Sequence, residues 1–368
     1  MEQLLSRKHN SAFHCVNHFC FLISMLSSSQ YENPNYTECI VIGAGISGLI
    51  AANVLQHAGI SVSILDKGKA VGGRLATRRV RSPSIGESIF DYGVQLFAAS
   101  RPEFQSMIDE WQQLGQVTEW GTQIYNSGKI CYRGVESNRS LASFLAKGLV
   151  VHHQSQVIRM QRTSSCWYVH TKDGREFKCR SLIITCPIPQ ALDLFKQSNI
   201  TLPSDLLVRL ENVLYFSCIA CLALLDKESN LPEPGGIRLD GKSVAWLACN
   251  RQKGISKSNA MTILSTPEFS MLYWDDYDSQ IASLMIDSSK PFLDSAVLEA
   301  QVHRWRFSQP STFFGECYLT LREPGLLIMA GDAFSSTESN ETVLNLERAA
   351  LSGFQAAKHY IKHQEDYL

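Results

Sequence analysis

A glycine-rich turn that directly follows an apolar run is the residue pattern with the clearest chemical meaning in this sequence. Residues 40–49 read IVIGAGISGL, in which Gly43, Gly45 and Gly48 stand at the G-x-G-x-x-G spacing. The first glycine permits a tight turn, the second lets a pyrophosphate approach the backbone, and the third lets a helix pack closely on the strand. The free N–H groups and the dipole at the start of that helix attract phosphate. The turn is therefore expected to hold the pyrophosphate of a nucleotide cofactor.

An acidic residue stands where a dinucleotide-binding unit needs one. A strand, the glycine turn, a helix with Leu49, Ala52 and Leu55 at helical spacing, and a second strand, ISVSILD, follow in order and end at Asp66. A carboxylate at the end of the second strand accepts hydrogen bonds from an adenosine ribose. Because a carboxylate there disfavours a 2′-phosphate, the pattern predicts a dinucleotide other than NADP.

Two further segments indicate which dinucleotide is expected. Gly72-Gly73-Arg74 follows the acid; its glycines allow close backbone approach, and its guanidinium can bridge a pyrophosphate. Gly331-Asp332 lies between a predicted strand and the last predicted helix. Both segments resemble the flavoprotein superfamily of amine oxidases, in which this aspartate meets the ribityl or pyrophosphate part of FAD. The resemblance implies FAD as the cofactor, with the N-terminus of the last helix aimed at the flavin ring.

A closer resemblance, to the renalase family and its bacterial relatives, covers the chain from about residue 37 onward. It rests on Asp66-Lys67 and on the segments GGRLATRR (72–79), DYGVQLF (91–97), AWLACNRQKG (245–254) and RWRFSQP (304–310). The resemblance implies non-covalent FAD, a large mixed-sheet substrate domain and oxidation of dihydronicotinamide-type molecules. It further implies that a hydride passes to flavin N5 and that O₂ reoxidises the cofactor, giving H₂O₂.

The motifs and the resemblance together give a set of expected site residues. The expected cofactor contacts are Gly43, Gly45, Ile46, Ser47, Gly48, Asp66, Lys67, Gly73, Arg74, Gln95, Leu96, Val157, Gly331 and Asp332. The substrate is expected to meet Trp305, Arg306 and Gln309, although Trp305 could instead be a core residue. Asn250 is a further candidate contact, although it could instead belong to a surface turn. Hydride transfer from a dihydropyridine needs no strong protein base, so neither a catalytic acid–base residue nor a metal ligand is assigned.

Three kinds of function are compatible with these residues. The first is a flavin oxidase of a dihydronicotinamide-type donor, the second is an oxidase of amines or another hydride donor, and the third is a flavin-binding protein with little turnover. An aromatic cage and a lysine serving the flavin would indicate an amine oxidase, and the sequence identifies neither. Arg348 stands where bacterial relatives often carry glycine. It could crowd the flavin, place a positive charge near its N1–C2=O edge, or face solvent.

The elements that must position these residues predict an α/β chain. We expect a Rossmann-like FAD-binding domain with a discontinuous mixed-sheet α+β substrate domain, the architecture of the amine oxidases and of p-hydroxybenzoate hydroxylase. The FAD-binding domain is expected over residues 37–95, 150–200 and 318–368, and the substrate domain over residues 96–149 and 201–317.

Local signals predict several boundaries within these domains. Ser100 and Glu103 stand at the spacing of a capping box and predict the start of a helix. Asp173-Gly174 predicts a hairpin turn, and residues 345–363 predict the last helix. Residues 1–36 are expected to be a disordered extension.

Bulk composition limits the expected compartment and partners. The 368 residues carry a formal net charge of −1, which favours neither nucleic acid nor an anionic membrane as a partner. Eleven cysteines without a small-domain framework indicate a reducing compartment, so a cytoplasmic location is expected. No apolar run reaches the roughly 20 residues that span a bilayer. The expected partners are a small-molecule hydride donor and O₂.

Overall fold

The computed structural model describes residues 36–82, 86–121, 128–321, 326–336 and 342–363. The extension predicted over residues 1–36 lies outside these ranges, apart from Tyr36. In chain order the strands are β1 (Tyr36–Ile42), β2 (Val62–Leu65), β3 (Thr77–Ser82), β4 (Gly86–Asp91), β5 (Val117–Gly121), β6 (Cys131–Gly134), β7 (Val150–His152), β8 (Val157–Arg162), β9 (Trp167–Thr171), β10 (Glu176–Ile184), β11 (Tyr215–Leu225), β12 (Gly236–Arg238), β13 (Val244–Cys249), β14 (Ala260–Ser265), β15 (Val297–Pro310), β16 (Leu319–Leu321) and β17 (Leu327–Met329). The helices are α1 (Ile46–His57), α2 (Pro102–Gln113), α3 (Asn138–Leu145), α4 (Ile188–Gln197), α5 (Ser204–Glu211), α6 (Pro267–Leu272), α7 (Asp278–Leu293) and α8 (Asn345–His363), and one 3-10 turn covers Thr342–Leu344.

An eight-stranded sheet with a parallel centre forms the first layer and confirms the predicted Rossmann-like fold. Its order is β16-β17-β10-β1-β2-β7, and β9 and β8 extend it antiparallel from β10 through the predicted turn at Asp173-Gly174. Alternate residues of β1 face two separate cores. Val41 belongs to the core that contains Leu49 of α1, and Ile40 belongs to the core that contains Phe195 of α4. Burial of both faces explains why β1 is a continuous apolar run.

A five-stranded sheet in the order β12-β13-β14-β11-β15 forms the second layer, and all its pairings are antiparallel. Its core joins Ile219 and Met261 of the sheet to Phe269 of α6 and Met285 of α7. All five strands lie within residues 201–317; the use of the two layers as cofactor and substrate domains remains a prediction. In the described part of the chain, no helix has both the length and the apolar character that crossing a bilayer requires.

The start of α2 differs from the predicted capping box. Arg101 is the N-cap residue, and its side chain does not cap the helix. The Ser100 hydroxyl instead donates to the Glu347 carboxylate at 2.6 Å, and the N–H groups of Ser100 and Arg101 donate to it at 2.8 Å. Glu347 is buried on α8, where an unpaired carboxylate would be costly. The hydroxyl that could cap α2 therefore satisfies this buried charge.

The last helix, α8, has the predicted bounds. It packs so closely against α1 that the contact requires a glycine. A Cβ atom added at Gly353 would stand 2.1 Å from the carbonyl oxygen of Ser47, in the first turn of α1. Ala356 and Ala357 are buried in the same core as α1. The contact places the end of the chain beside the glycine turn near its beginning.

We predict that Gly353→Ala lowers the free energy of unfolding by about 1–3 kcal/mol, because the added methyl group overpacks the contact between α8 and α1. Helix propensity alone predicts the opposite sign, since alanine is favoured over glycine by about 1 kcal/mol inside a helix. Urea denaturation followed by circular dichroism measures the change. Lys358→Ala, at an exposed position of the same helix, is the control and is expected to shift stability by less than about 0.5 kcal/mol. A Gly353→Ala variant as stable as the wild type would contradict the close contact.

Candidate functional site

A cavity of about 1260 Å³ lies between the glycine turn and the second sheet. Its walls come from residues 42–47 and 65–77, from Gly331 and Asp332, and from parts of β11, β13 and β15. Every predicted cofactor residue except Gly48 lines it, and so does every predicted substrate residue except Asn250. The structure therefore brings the predicted residues together, while their roles toward a ligand remain predictions.

The glycine turn shows what the protein itself requires at each position. Gly43 has a φ of +111°, which other residues avoid. A Cβ atom at Gly48 would stand 2.0 Å from the Gly43 carbonyl oxygen, so this glycine lets α1 pack against the turn. Gly45 has a φ of −75°, and a Cβ atom added there meets no protein atom within 4 Å. Packing within the protein does not require glycine at Gly45, which borders the open cavity.

Asp66 is fixed to the glycine turn through its carboxylate. Its Oδ2 atom accepts a hydrogen bond from the Ala44 N–H at 2.7 Å, and its Oδ1 atom accepts one from the Gly68 N–H at 2.7 Å. The Gly72 N–H donates to the Ala44 carbonyl oxygen at 2.8 Å. The acid and the G-G-R segment are thus both held against the same turn, on the wall of the cavity.

Arg74 and Asp332, both predicted cofactor contacts, form an ion pair with each other. The two terminal guanidinium nitrogens donate to the two carboxylate oxygens at 2.6 and 2.8 Å, and Nη1 also donates to the Ser308 carbonyl oxygen at 3.2 Å. The Asp332 side chain is only 5% exposed, so it needs a counter-charge, and Arg74 supplies it. The Arg74 guanidinium, which is predicted to bridge a pyrophosphate directly, therefore binds the Asp332 carboxylate. Both residues of this ion pair line the cavity.

Three buried polar atoms of cavity-lining residues have no hydrogen-bond partner in the described part of the chain: the Ser47 hydroxyl, Oε1 of Gln95 and the Trp246 indole nitrogen. The Gln95 amide nitrogen donates to the carbonyl oxygens of Asp91 and Gly93 at 2.9 and 3.0 Å, which leaves the acceptor Oε1 unpaired. Leaving a buried polar atom unpaired costs about 1–3 kcal/mol. FAD offers phosphate oxygens that accept from a hydroxyl and a ring N–H that donates to a carbonyl, so Ser47 and Gln95 fit this cofactor.

The structure places Asn250 away from the cavity wall and so gives no support to its predicted contact with the substrate. The side chain is fully buried and does not line the cavity. Its amide nitrogen donates to the Ala260 carbonyl oxygen at 3.1 Å and to the Thr262 hydroxyl at 2.9 Å, and its Oδ1 atom accepts from the Asp91 N–H at 3.3 Å. These bonds use the polar atoms of Asn250 to hold β14 beside the end of β4, and they leave no group for a ligand.

Arg348 does not face solvent, which contradicts one of the three arrangements considered from the sequence, and its position relative to a flavin remains a prediction. It is buried rather than solvent-facing, and it is absent from the residues that line the cavity. Its Nη1 atom donates to Asn345 at 2.6 Å, and its guanidinium lies 4.7 Å from the centre of the Phe313 ring. Asn345, Leu346 and Ala349 are the residues of α8 that line the cavity near this point.

A buried ion pair between Lys253 and Asp91 lies behind the cavity wall and was not identified from the sequence. Both side chains are fully buried; the Lys253 ammonium lies 2.8 Å from the Asp91 carboxylate and 2.7 Å from the Gln95 carbonyl oxygen. The Trp120 ring centre lies 4.7 Å from the ammonium. Burial lowers the pKa of Lys253, and the charge of Asp91 acts against that shift. The pair ties the turn at residues 250–254 to the loop that carries Gln95.

Tyr92, His303 and Trp305 form an aromatic cluster on the cavity wall. The Tyr92 and Trp305 rings stack with their centres 5.3 Å apart, and His303 packs edge-on against both. The Trp305 indole N–H donates to the Tyr92 carbonyl oxygen at 2.9 Å. Trp305 is thus both a packing residue and part of the wall. Rings this close leave no space between them for an alkylammonium group, which an aromatic cage must enclose.

Comparison with known protein families gives two matches. A family model for NAD(P)-binding Rossmann-like domains matches residues 41–111, and one for flavin containing amine oxidoreductases matches residues 132–360. The first match contains the glycine turn and Asp66. The second contains Asp332 and most of the residues from the second sheet that line the cavity.

Individual proteins resemble this chain over part of its length or in fold. L-amino acid oxidase Cdc18 of Crotalus durissus cumanensis is 27% identical over 155 residues, 38% of this chain and 30% of that protein. Cyclohexylamine oxidase from Brevibacterium oxydans IH-35A has a TM-score of 0.65 at 13% identity, covering 89% of this chain and 99% of that one. The A394C mutant of putrescine oxidase has a TM-score of 0.65 at 11% identity, covering 90% and 99%. The structural likeness concerns the fold, and the chain spans less than a third of the curated relatives that head the comparison.

We predict that Gly45→Ala weakens FAD binding at least about tenfold, because its methyl group enters the space that a pyrophosphate needs. The free energy of unfolding of the cofactor-free protein should stay within about 0.5 kcal/mol of the wild type, since the methyl group meets no protein atom. Fluorescence titration with FAD and urea denaturation measure the two quantities. Gly48→Ala is the comparison and should lower both, because its Cβ atom meets the Gly43 carbonyl oxygen. If Gly45→Ala bound FAD with wild-type affinity, the glycine turn would not be part of the cofactor site.

We predict that Lys253→Ala lowers the free energy of unfolding by about 3–5 kcal/mol, because it leaves the Asp91 carboxylate buried without a counter-charge. The double variant Lys253→Met, Asp91→Asn removes both charges and should recover part of the loss. Urea denaturation measures both effects. Lys290→Ala breaks an exposed pair with Asp287 and should cost at most about 1 kcal/mol. If the Lys253 and Lys290 variants had equal free energies of unfolding, the buried pair would contribute no more to stability than the exposed pair.

Proposed function

The chain belongs to the flavin containing amine oxidoreductase family, and we propose that within this family it removes a hydride from a dihydronicotinamide-type donor. Bound FAD would supply the two-electron acceptor at its N5 atom, with O₂ as the final oxidant and H₂O₂ as the product. The observation that carries the proposal is the position of residues 304–310, one of the segments on which the likeness to the renalases rests. Five residues of this segment before Gln309 line the cavity together with Gln309.

The residues that would hold FAD follow from the contacts of the cavity wall. The Ser47 hydroxyl would donate to a phosphate oxygen, and the Asp66 carboxylate would accept from the adenosine ribose. The positive charge of Arg74 would lie near the diphosphate, while Asp332 keeps the guanidinium in place through their ion pair. Gln95 would present its unpaired carbonyl oxygen to a ring N–H. These assignments use polar atoms that the protein leaves unpaired or positions on the wall.

The ionisable groups beside the aromatic cluster suit a donor that needs no base. Burial lowers the pKa of His303, and the nearby Arg78 charge adds to the effect. Burial raises the pKa of Cys186 to about 12 and that of Cys218 to about 11, so both cavity thiols stay protonated at neutral pH. A dihydropyridine releases a hydride without first losing a proton, whereas an alkylammonium must be deprotonated. A weakly basic imidazole and two thiols therefore favour the dihydropyridine.

Amine oxidation is the second candidate, and the family match favours it. Two features of the site count against it. The stacked rings of Tyr92 and Trp305 enclose no slot for an amine. Lys253 is held in its pair with Asp91 and does not reach the cavity. A third possibility is a flavin protein with little turnover; its main sequence indication is Arg348, which does not line the cavity.

We predict that 6-dihydroNAD bleaches the flavin absorbance of the FAD-loaded protein within seconds under anaerobic conditions. The expected reason is direct hydride transfer on a wall that needs no base. A stopped-flow spectrometer measures the bleaching, and admission of O₂ should restore the absorbance with formation of H₂O₂. Ordinary NADH, putrescine and an L-amino acid are the comparison donors and are expected to react at least about tenfold more slowly.

Bleaching by putrescine or the amino acid alone would replace the proposal with amine oxidation. Bleaching by none of the four donors would indicate a flavin protein without oxidase activity on these compounds. Both conclusions require that the protein carries its FAD before the donor is added, and the absorbance spectrum recorded before mixing measures the FAD content.

A further inference from the structure

We propose that the hydride donor is an anion and that Arg306 binds its phosphate or carboxylate group. This inference rests on the proposed function because it concerns the same cavity and names the class of molecule that enters it. It follows from the distribution of charge on the wall, from the contacts of Arg304 and Arg306, and from the place of Arg306 on β15.

Charged side chains are distributed unevenly around the cavity. The cationic residues on its described wall are Lys67, Lys69, Arg74, Arg139, Arg238, Arg304 and Arg306, and the anionic ones are Asp66, Asp193 and Asp332. All three carboxylates belong to the side of the central sheet. The second sheet contributes three arginines to the described wall and no carboxylate. The diphosphate of FAD offsets only part of this positive excess, and it does so on the side of the glycine turn.

Arg304 is already neutralised by the protein. Its guanidinium pairs with Asp278 at 2.6 Å and donates to the carbonyl oxygens of Trp274 and Asp276 at 2.7 Å. These contacts tie β15 to the start of α7. Arg304 is therefore a structural residue, and it cannot account for a cationic wall that recognises a ligand.

Arg306 differs from Arg304 although it lies only two residues further along the same strand. It is exposed, its guanidinium stands 5.3 Å from the centre of the Trp274 ring, and no described carboxylate lies within ion-pair distance. Stacking on an aromatic ring orients a guanidinium while its in-plane N–H groups remain available. Such a planar fork matches the oxygens of a phosphate or a carboxylate.

The edge position of β15 allows one ligand to meet both of its faces. Side chains two residues apart share a face of a strand, so Arg304 and Arg306 lie on the side of Trp274, and His303 and Trp305 lie on the side of Tyr92. β15 is the last strand of its sheet, and both groups line the cavity. A donor with a planar ring and an anionic group at a distance fits this arrangement, whereas a diamine would bring a second positive charge to Arg306.

The test compares ligands that differ only in the anionic group, and it needs no turnover. Isothermal titration calorimetry of the FAD-loaded protein measures the binding of oxidised nicotinamide mononucleotide and of nicotinamide riboside, its match without phosphate. The wild type is expected to bind the mononucleotide at least about tenfold more tightly, as charge-assisted hydrogen bonds to phosphate imply. L-leucine and L-leucinamide form the corresponding carboxylate arm, and they decide which source of the anion is used.

Substitutions assign the preference to Arg306. Arg306→Gln should bring the ratio between the two ligands of the favoured arm close to one, and Arg306→Lys should retain part of it. Arg81→Gln, at an exposed position that does not line the cavity, is the matched control and should leave the ratio unchanged. No preference for either anion in the wild type, or a preference that survives Arg306→Gln, would overturn the inference.

Failure of this inference and failure of the proposed function give different results. If 6-dihydroNAD bleaches the flavin while neither the phosphate nor the carboxylate is preferred, the proposed function holds and the proposed anion site is wrong. If no dihydronicotinamide bleaches the flavin while the preference for the anionic ligand still depends on Arg306, the anion site is supported and the proposed hydride donor is wrong.

Discussion

Two backbone contacts that leave no room for a Cβ atom hold the cofactor end of the protein together. In the first, Gly48 lies against the carbonyl oxygen of Gly43, so that α1 packs closely on the turn after β1. In the second, Gly353 lies against the carbonyl oxygen of Ser47, so that α8 packs closely on α1. Protein interiors are packed as densely as organic crystals, so a shift at either contact moves whole helices. The free N–H groups of the first turn of α1, the position of Asp66 and the end of α8 that reaches the cavity all depend on this stack.

The parts of the site that could be predicted from the sequence are those encoded by local spacing. The glycine turn, Asp66 and the bounds of α8 depend on residues that are close along the chain, where strand, turn and helix preferences act directly. The Arg74–Asp332 ion pair joins residues 258 positions apart, and the contact of Ser100 with Glu347 joins residues 247 positions apart. No local pattern encodes these partners. Each member could be recognised as important, but what it touches follows from the fold.

The turn at residues 250–254 shows a second limit on prediction. Polar residues between two strands are usually exposed, and the sequence indicates a surface turn or a substrate contact for Asn250 and no role for Lys253. The turn instead folds inward, where both side chains are fully buried and bond to groups around Asp91. A positive φ of +83° at Gly254 is typical of a tight turn. Nothing in the local sequence specifies the side toward which such a turn faces.

The order of the strands in the central sheet has a consequence for how the protein is made. Translation produces β1, the glycine turn and Asp66 before β17, Asp332 and α8, and the whole second sheet is made between them. Contacts between such distant segments form only after the intervening chain exists. While the second sheet is being made, the growing polypeptide thus carries an unfinished cavity that lacks the wall that Leu346 and Ala349 provide. The cavity is consequently complete only once α8 has been made, and a chain that terminates before β17 has no complete place for the cofactor.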